Sequence, residues 1–219
     1  ATVQALGGTG ALKVGADFLK RVNPAARVLI SAPSWENHRA LFSRAGFEVA
    51  EYPYYDAARR GIDFTAMRAA LEAAAAGTIV VLHACCHNPT GYDLTAAQWD
   101  EVVAIVKARS LVPFLDMAYQ GFGQGIVEDG AAVGKFVASG VDLFIATSFS
   151  KSFSLYGERV GALSVVCKSA EETSRVLSQL KCLYPIGIQG LNMTLRHRGD
   201  FRRDWFLSEP VIQPDLHDA

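Results

Sequence analysis

Short apolar runs alternate with stretches of helical periodicity along most of this chain, and that alternation narrows the folds open to it more than any other feature. Arg27 to Ala32 reads as a strand, Glu36 to Ala45 as a helix, and Phe47 to Tyr52 as a strand again. Asp63 to Ala76 is alanine-rich and helical, and the β-branched run Thr78 to Leu82 follows it. Thr95-Ala96-Ala97-Gln98 has the pattern of a capping box and opens a helix whose Trp99, Val102, Val103 and Val106 share one face. Val112 to Asp116, Leu143 to Ser148 and Gly161 to Val166 complete the series. Strands that are apolar throughout, rather than at every second residue, need cover on both sides. The expected fold class is therefore α/β: a mostly parallel sheet with helices on both faces.

Half of the 219 residues are hydrophobic, enough to fill such a core. A formal charge of -1 argues against a nucleic-acid surface and against a polybasic membrane contact. No run approaches the ~20 apolar residues of a bilayer span, and no charged segment followed by an apolar one marks a secretory signal. The four cysteines, two of them adjacent, lack the spacing of a disulfide framework and point to a reducing cytoplasm. No internal repeat or linker divides the chain. After Lys181 the periodicity lapses into a segment holding His197, Arg198, Arg202, Arg203, Pro210 and Pro214. Residues 1–181 are thus expected to form one layered domain, and 182–219 an aberrant or disordered tail.

Three groups of chemically capable residues follow strand-like runs, where an open α/β sheet places its ligand-binding residues. They are Asn88-Pro89-Thr90-Gly91, Asp116 to Phe122, and Ser148-Phe149-Ser150-Lys151-Ser152-Phe153 running on to Gly157-Glu158-Arg159. A lysine amine can form a Schiff base with an aldehyde, while a serine and an arginine close by can hold a phosphate. Gly7-Gly8-Thr9-Gly10 opens the chain as a phosphate-type loop with no strand evident before it, and a helix is expected from about Gly10. Pro33-Ser34-Trp35-Glu36-Asn37-His38 forms a further group. His83, Cys85, Cys86 and His87 lie close in sequence, but their spacing matches no structural zinc pattern, so no metal is expected. Cys85 and Cys86 read as small buried hydrophobes.

Taken in order, these groups resemble the fold type I aminotransferases that use pyridoxal 5'-phosphate (PLP), in the aspartate and aromatic amino-acid branch. The resemblance covers about the first four-fifths of the chain. It implies the large, cofactor-binding domain of such an enzyme, with Lys151 as the Schiff-base lysine whose freed amine moves the substrate's α-proton. Asp116 is implied as partner of the pyridine nitrogen, with His83 behind it, and Asn88 and Tyr119 as partners of the phenolic oxygen. Gly8, Thr9, Ser148 and Arg159 are implied to hold the phosphate, and Trp35 to stack on the ring. Plainer roles exist beside these: Asn88 suits a turn in any protein, and Tyr119 and Trp35 suit an apolar core. His38 and Asn37 accompany Trp35 without an assigned role.

The resemblance further implies a homodimer, amino-acid and 2-oxo-acid substrates, and a ping-pong exchange of the amino group. Cys85-Cys86-His87, Asp93-Leu94-Thr95 and Phe153 to Arg159 look most like the bacterial aromatic enzymes, with aspartate aminotransferase as the runner-up. Against the family pattern, Gly7 stands where a serine is usual. The tail lacks the family's arginine and its Asn-Tyr-Ser-x-Pro-Pro stretch, as a truncation or a shifted frame would leave it. The substrate-gripping residues of the family fall outside the matched part, so a cofactor-binding remnant without full activity is the expected alternative. A nicotinamide-binding fold is disfavoured, since no Gly-x-Gly-x-x-Gly follows a first strand.

Overall fold

The computed structural model describes residues 1–184. In chain order the elements are β1 (Thr2–Leu6), α1 (Gly7–Val22), β2 (Arg27–Ala32), α2 (Glu36–Arg44), β3 (Glu48–Pro53), β4 (Tyr55–Asp56), β5 (Gly61–Ile62) and α3 (Phe64–Ala73). They continue with β6 (Ile79–His83), α4 (Ala96–Ala108), β7 (Val112–Met117), α5 (Ile126–Asp129), α6 (Ala131–Ser139), β8 (Leu143–Ser148), β9 (Val160–Val166) and α7 (Ala170–Leu183). Helix α4 begins at the expected capping box: the Thr95 hydroxyl accepts from the Gln98 backbone, and the Gln98 side chain accepts from the Thr95 N–H. Helix α3 stops at Ala73, three residues before the expected end, because Ala74 turns to extended backbone.

Seven strands form one sheet in the order β1-β9-β8-β7-β6-β2-β3, while β4 and β5 make a separate hairpin. The five strands from β8 to β3 run parallel, and β9 lies antiparallel to both β8 and β1. One apolar cluster covers one face, built from α1, α2 and α7 with Phe42, Phe114 and Leu163 at its centre. A second covers the other, built from α3, α4 and α6 with Met67, Val102 and Phe136. All five residues of β6 are buried, as a central parallel strand requires. The expected α/β class, with helices on both faces, holds.

Two details differ from expectation. A strand does precede Gly7: Thr2–Leu6 pairs with β9 from Thr2↔Ser164 to Leu6↔Val160. This edge strand has only five residues, too few for its pattern to be read without the partner that buries Val3 and Ala5. Helix α1 accordingly starts at Gly7 rather than Gly10. At the other end α7 continues to Leu183, and Tyr184 caps it through a bond from its N–H to the Leu180 carbonyl. Most of the segment expected to be an irregular tail, residues 185–219, lies outside the described residues.

Candidate active site

The sheet order turns between β2 and β6. From β2 the chain moves outward to β3, whereas β6, β7 and β8 step the opposite way. Loops leaving the C-terminal ends of strands at such a point diverge and leave a crevice. The candidate residues stand around it, on the exits of β2, β6, β7 and β8.

Gly7 and Gly8 reach the same end of the sheet through register. Leu6 pairs with Val160 and Ser148 with Gly161, so the start of α1 lies beside the end of β8. The approach is closest at Gly161, where a side chain would not fit against the backbone. A β-carbon on Gly161 would meet the Gly7 carbonyl carbon at 2.4 Å, and one on Gly8 would lie 3.0 Å from the Ser148 β-carbon. A β-carbon on Gly7 would come within 2.6 Å of the Arg159 guanidinium, the far end of a flexible side chain. Gly7 also has φ +67°, which a residue with a side chain adopts at a cost. Arg159 is held by the Tyr156 carbonyl at 3.1 Å and the Ser150 hydroxyl at 3.4 Å. Ser150, buried like Ser148, belongs to this cluster although the sequence reading gave it no role.

Lys151 lies half-buried just beyond Ser150, and its Nζ stands 4.4 Å from the centre of the Tyr119 ring and 5.3 Å from that of Tyr156. Aromatic faces of this kind attract a cation and keep water from one side of the amine. The Ser152 hydroxyl donates to the Gln120 carbonyl at 2.8 Å and ties the lysine loop to the tyrosine loop. Asp129 stiffens the second loop by accepting from the backbone N–H groups of Gly121, Gly123 and Gln124. Burial would raise its pKa, but those amides outweigh it and hold the carboxyl below its ordinary value.

Asp116 is 4% exposed at the end of β7, and its Oδ2 lies 2.8 Å from His38 Nε2. His38 Nδ1 in turn meets the Ser34 hydroxyl at 2.9 Å. The hydrogen-bond partner of Asp116 is therefore His38, on the first turn of α2, and His83 lies behind the pair, against the His38 ring. His83 is next to Asp116 in strand register and close to it, but makes no hydrogen bond with the carboxylate. No spacing rule links His38 to a strand 78 residues away, which is why the sequence left it unassigned. The Trp35 ring meets His38 edge-on at 5.4 Å between centroids.

A row of histidines lies behind the carboxylate. His83 contacts His38 on one side and His87 on the other, at 4.9 and 4.3 Å between rings, and both of its nitrogens are buried without a hydrogen-bond partner among the described residues. Burial, helped by repulsion from His38 and His87, drives its pKa well below the ordinary value. His87 is lowered to about 4, again chiefly by burial; it bonds to the hydroxyls of Ser31 and Thr90 and stacks on Tyr54. Asp93 accepts from the N–H groups of Cys86 and His87 and so fixes the turn that carries Asn88. Asn88 and Thr9 are half-buried at the crevice, and neither side chain bonds to the other candidates among the described residues. Cys85 is buried as expected, whereas Cys86 is half-exposed beside the Tyr119 carbonyl.

The α/β sheet thus carries a lysine, an arginine, a buried carboxylate and a glycine-lined helix start at the ends of its strands, a set of groups suited to an anionic ligand. Comparison with known proteins goes further. Residues 1–188 match the family model for aminotransferase class I and II. The chain is 63% identical over 180 residues to an aspartate aminotransferase of Pseudomonas aeruginosa, covering 82% of this chain and 45% of that protein. It is 59% identical over 181 residues to an aromatic-amino-acid aminotransferase of Escherichia coli, with 83% and 46% covered. A crystal structure of the aromatic-amino-acid aminotransferase from Burkholderia pseudomallei, covalently bound to pyridoxal phosphate, superposes with a TM-score of 0.83 at 66% identity, covering 84% of this chain and 46% of that one. The chain belongs to the class I and II aminotransferase family, and it spans about half the length of the relatives it matches. No helix among the described residues is long and apolar enough to cross a membrane.

Proposed function

We propose that the chain holds PLP and takes part in transamination between an aromatic or dicarboxylic amino acid and a 2-oxo acid such as 2-oxoglutarate. The observation that carries the proposal is the placing of Lys151. Its amine stands among aromatic rings on a loop that begins at Ser148 and ends at Arg159, whose guanidinium lies against Gly7. The residues fit the cofactor. The cradle at Gly7 and Gly8 is one that β-carbons would fill, and the donor set around it suits a phosphate. Helix α1 starts there with no side-chain cap and no acidic residue in its first turn, so its amides and dipole favour an anion.

When bound, PLP supplies an electron sink for negative charge at the substrate's α-carbon. The chain's own residues do the rest. Lys151 Nζ would hold the aldehyde of the cofactor and, as a free amine, would move the substrate's α-proton. Asp116 Oδ2 is occupied by His38, which leaves Oδ1 to hold a proton on the ring nitrogen. Gly8, Thr9, Ser148, Ser150 and Arg159 bind the phosphate, Tyr119 and Asn88 bond the phenolic oxygen, and Trp35 covers the ring. Relatives of high identity carry both names, an aspartate aminotransferase at 63% and an aromatic-amino-acid aminotransferase at 59%, so the proposal keeps both substrate classes. The role falls in amino-acid metabolism, on the side of aromatic amino-acid synthesis. We also infer a cytoplasmic setting, which suits the four free thiols.

A homodimer is part of the same proposal. Phe122, Phe153 and Tyr156 on the two loops that Ser152 ties together, and Ile126 and Val127 on the adjoining α5, are 50% to 81% exposed. Apolar side chains grouped around a crevice commonly mark an interface. A single-turnover assay tests the function: the PLP-loaded chain mixed with tyrosine or with aspartate should yield the matching 2-oxo acid in proportion to protein. Failure with both amino acids would overturn it.

A further inference from the structure

The row behind Asp116 combines two features that cofactor binding does not require. His83 carries two buried nitrogens without partners, and the ligand atoms of His38, His83 and Asp116 lie within 4.8 Å of one another. We propose that in the cofactor-free protein these three side chains bind a borderline divalent cation of the Zn2+ type, which competes with the cofactor for Asp116. Two imidazoles and one carboxylate are a common three-ligand zinc set, with the fourth position left to water.

Geometry and charge both support this. Among the described residues the buried Asp116 carboxylate has only His38 as a side-chain partner, and an imidazole that donates as a neutral group leaves its charge uncompensated. A dication supplies that compensation, as a protonated pyridine nitrogen would. A tetrahedral ion with bonds of about 2.0 Å needs ligand atoms about 3.3 Å apart. His38 and Asp116, at 2.8 Å, must therefore part by roughly half an ångström. His38 can adjust without changing its charge. While it donates to Asp116 the proton is on Nε2, and Nδ1 accepts from the Ser34 hydroxyl. On binding a metal through Nε2, the proton moves to Nδ1 and the Ser34 oxygen becomes its acceptor. Such an outer hydrogen bond is usual for a metal-ligating histidine.

The other candidate trio, Cys85, Cys86 and Asp129, is the weaker one. Three backbone amides already occupy Asp129, and burial raises the pKa of both thiols. Co2+ separates the two sites, because thiolate ligation adds an intense near-ultraviolet charge-transfer band that imidazole and carboxylate lack.

The test uses the full 219-residue chain prepared without PLP. Zn2+ is titrated against a chromophoric chelator, and Co2+ is read by its visible spectrum. One equivalent should bind, giving tetrahedral bands without a sulfur signal. Ser34→Ala should weaken binding by about 10- to 100-fold through the lost outer hydrogen bond. His83→Phe should abolish it, and Ser34→Ala covers the case in which His83→Phe fails to fold. PLP added in excess should release the ion. Only this last arm rests on the cofactor reading, so a chain that failed to bind PLP would still answer the cation question. Absence of stoichiometric binding, a sulfur charge-transfer band, or unchanged affinity in Ser34→Ala would each overturn the proposal. Binding of ion and PLP together would overturn the competition.

Discussion

At the scale of single residues, the buried polar row is where this molecule is most exposed to change. Among the described residues Asp116 has a single side-chain partner, so His38→Phe leaves a buried carboxylate without its hydrogen bond. The expected loss is about 1–3 kcal/mol or more, seen as a lower urea midpoint; an unchanged midpoint would show that Asp116 is solvated after all. The histidines make a second prediction, with a definite sign. Folded His83 and His87 are neutral below the pH at which a free imidazole, near 6.5, takes up its proton. Between that pH and about 4 the unfolded chain binds more protons than the folded one, so stability falls as pH falls. The slope reaches at most about 1.4 kcal/mol per pH unit for each histidine. Urea midpoints between pH 7 and 5, above most carboxylate titration, should therefore decline, and a flat profile would contradict the burial of these rings.

At the scale of elements, the fit between β9 and the start of α1 decides the shape of the anion cradle. Gly161→Ala would push a β-carbon into the Gly7 backbone and the Thr147 carbonyl, neither of which can swing aside as a side chain can. We expect a loss of about 1–3 kcal/mol together with weaker PLP binding. A folded variant with unchanged PLP affinity would separate the cradle from the phosphate. Thr95→Ala offers a contrast: removing the α4 cap should lower stability by about 0.5–2 kcal/mol with PLP affinity intact. The elements themselves were largely legible in the sequence. Leu143–Ser148 and the Thr95 cap could be read directly, because a buried parallel strand is continuously apolar and a cap has a local signature. Strand β1 was not legible, since five edge residues gain their meaning from a partner about 160 positions away. The same limit hid His38, whose role comes from a strand 78 positions away, whereas Lys151, Asp116 and Arg159 sat in recognisable local patterns.

At the scale of the whole molecule, the apolar side chains around the crevice and the lysine loop beneath them make assembly and function one question. Val127 is 81% exposed on α5, so Val127→Glu should disturb association. Sedimentation should show a concentration-dependent dimer of the parent chain that this variant weakens; a strictly monomeric parent chain would remove the dimer from the account. The central claim is that Lys151 anchors PLP, and a visible absorbance titration with PLP, run beside Lys151→Ala, tests it most directly. The account predicts a saturable band in the parent chain that borohydride removes and that Lys151→Ala never shows. The same band in Lys151→Ala, or none in folded parent chain, would contradict it.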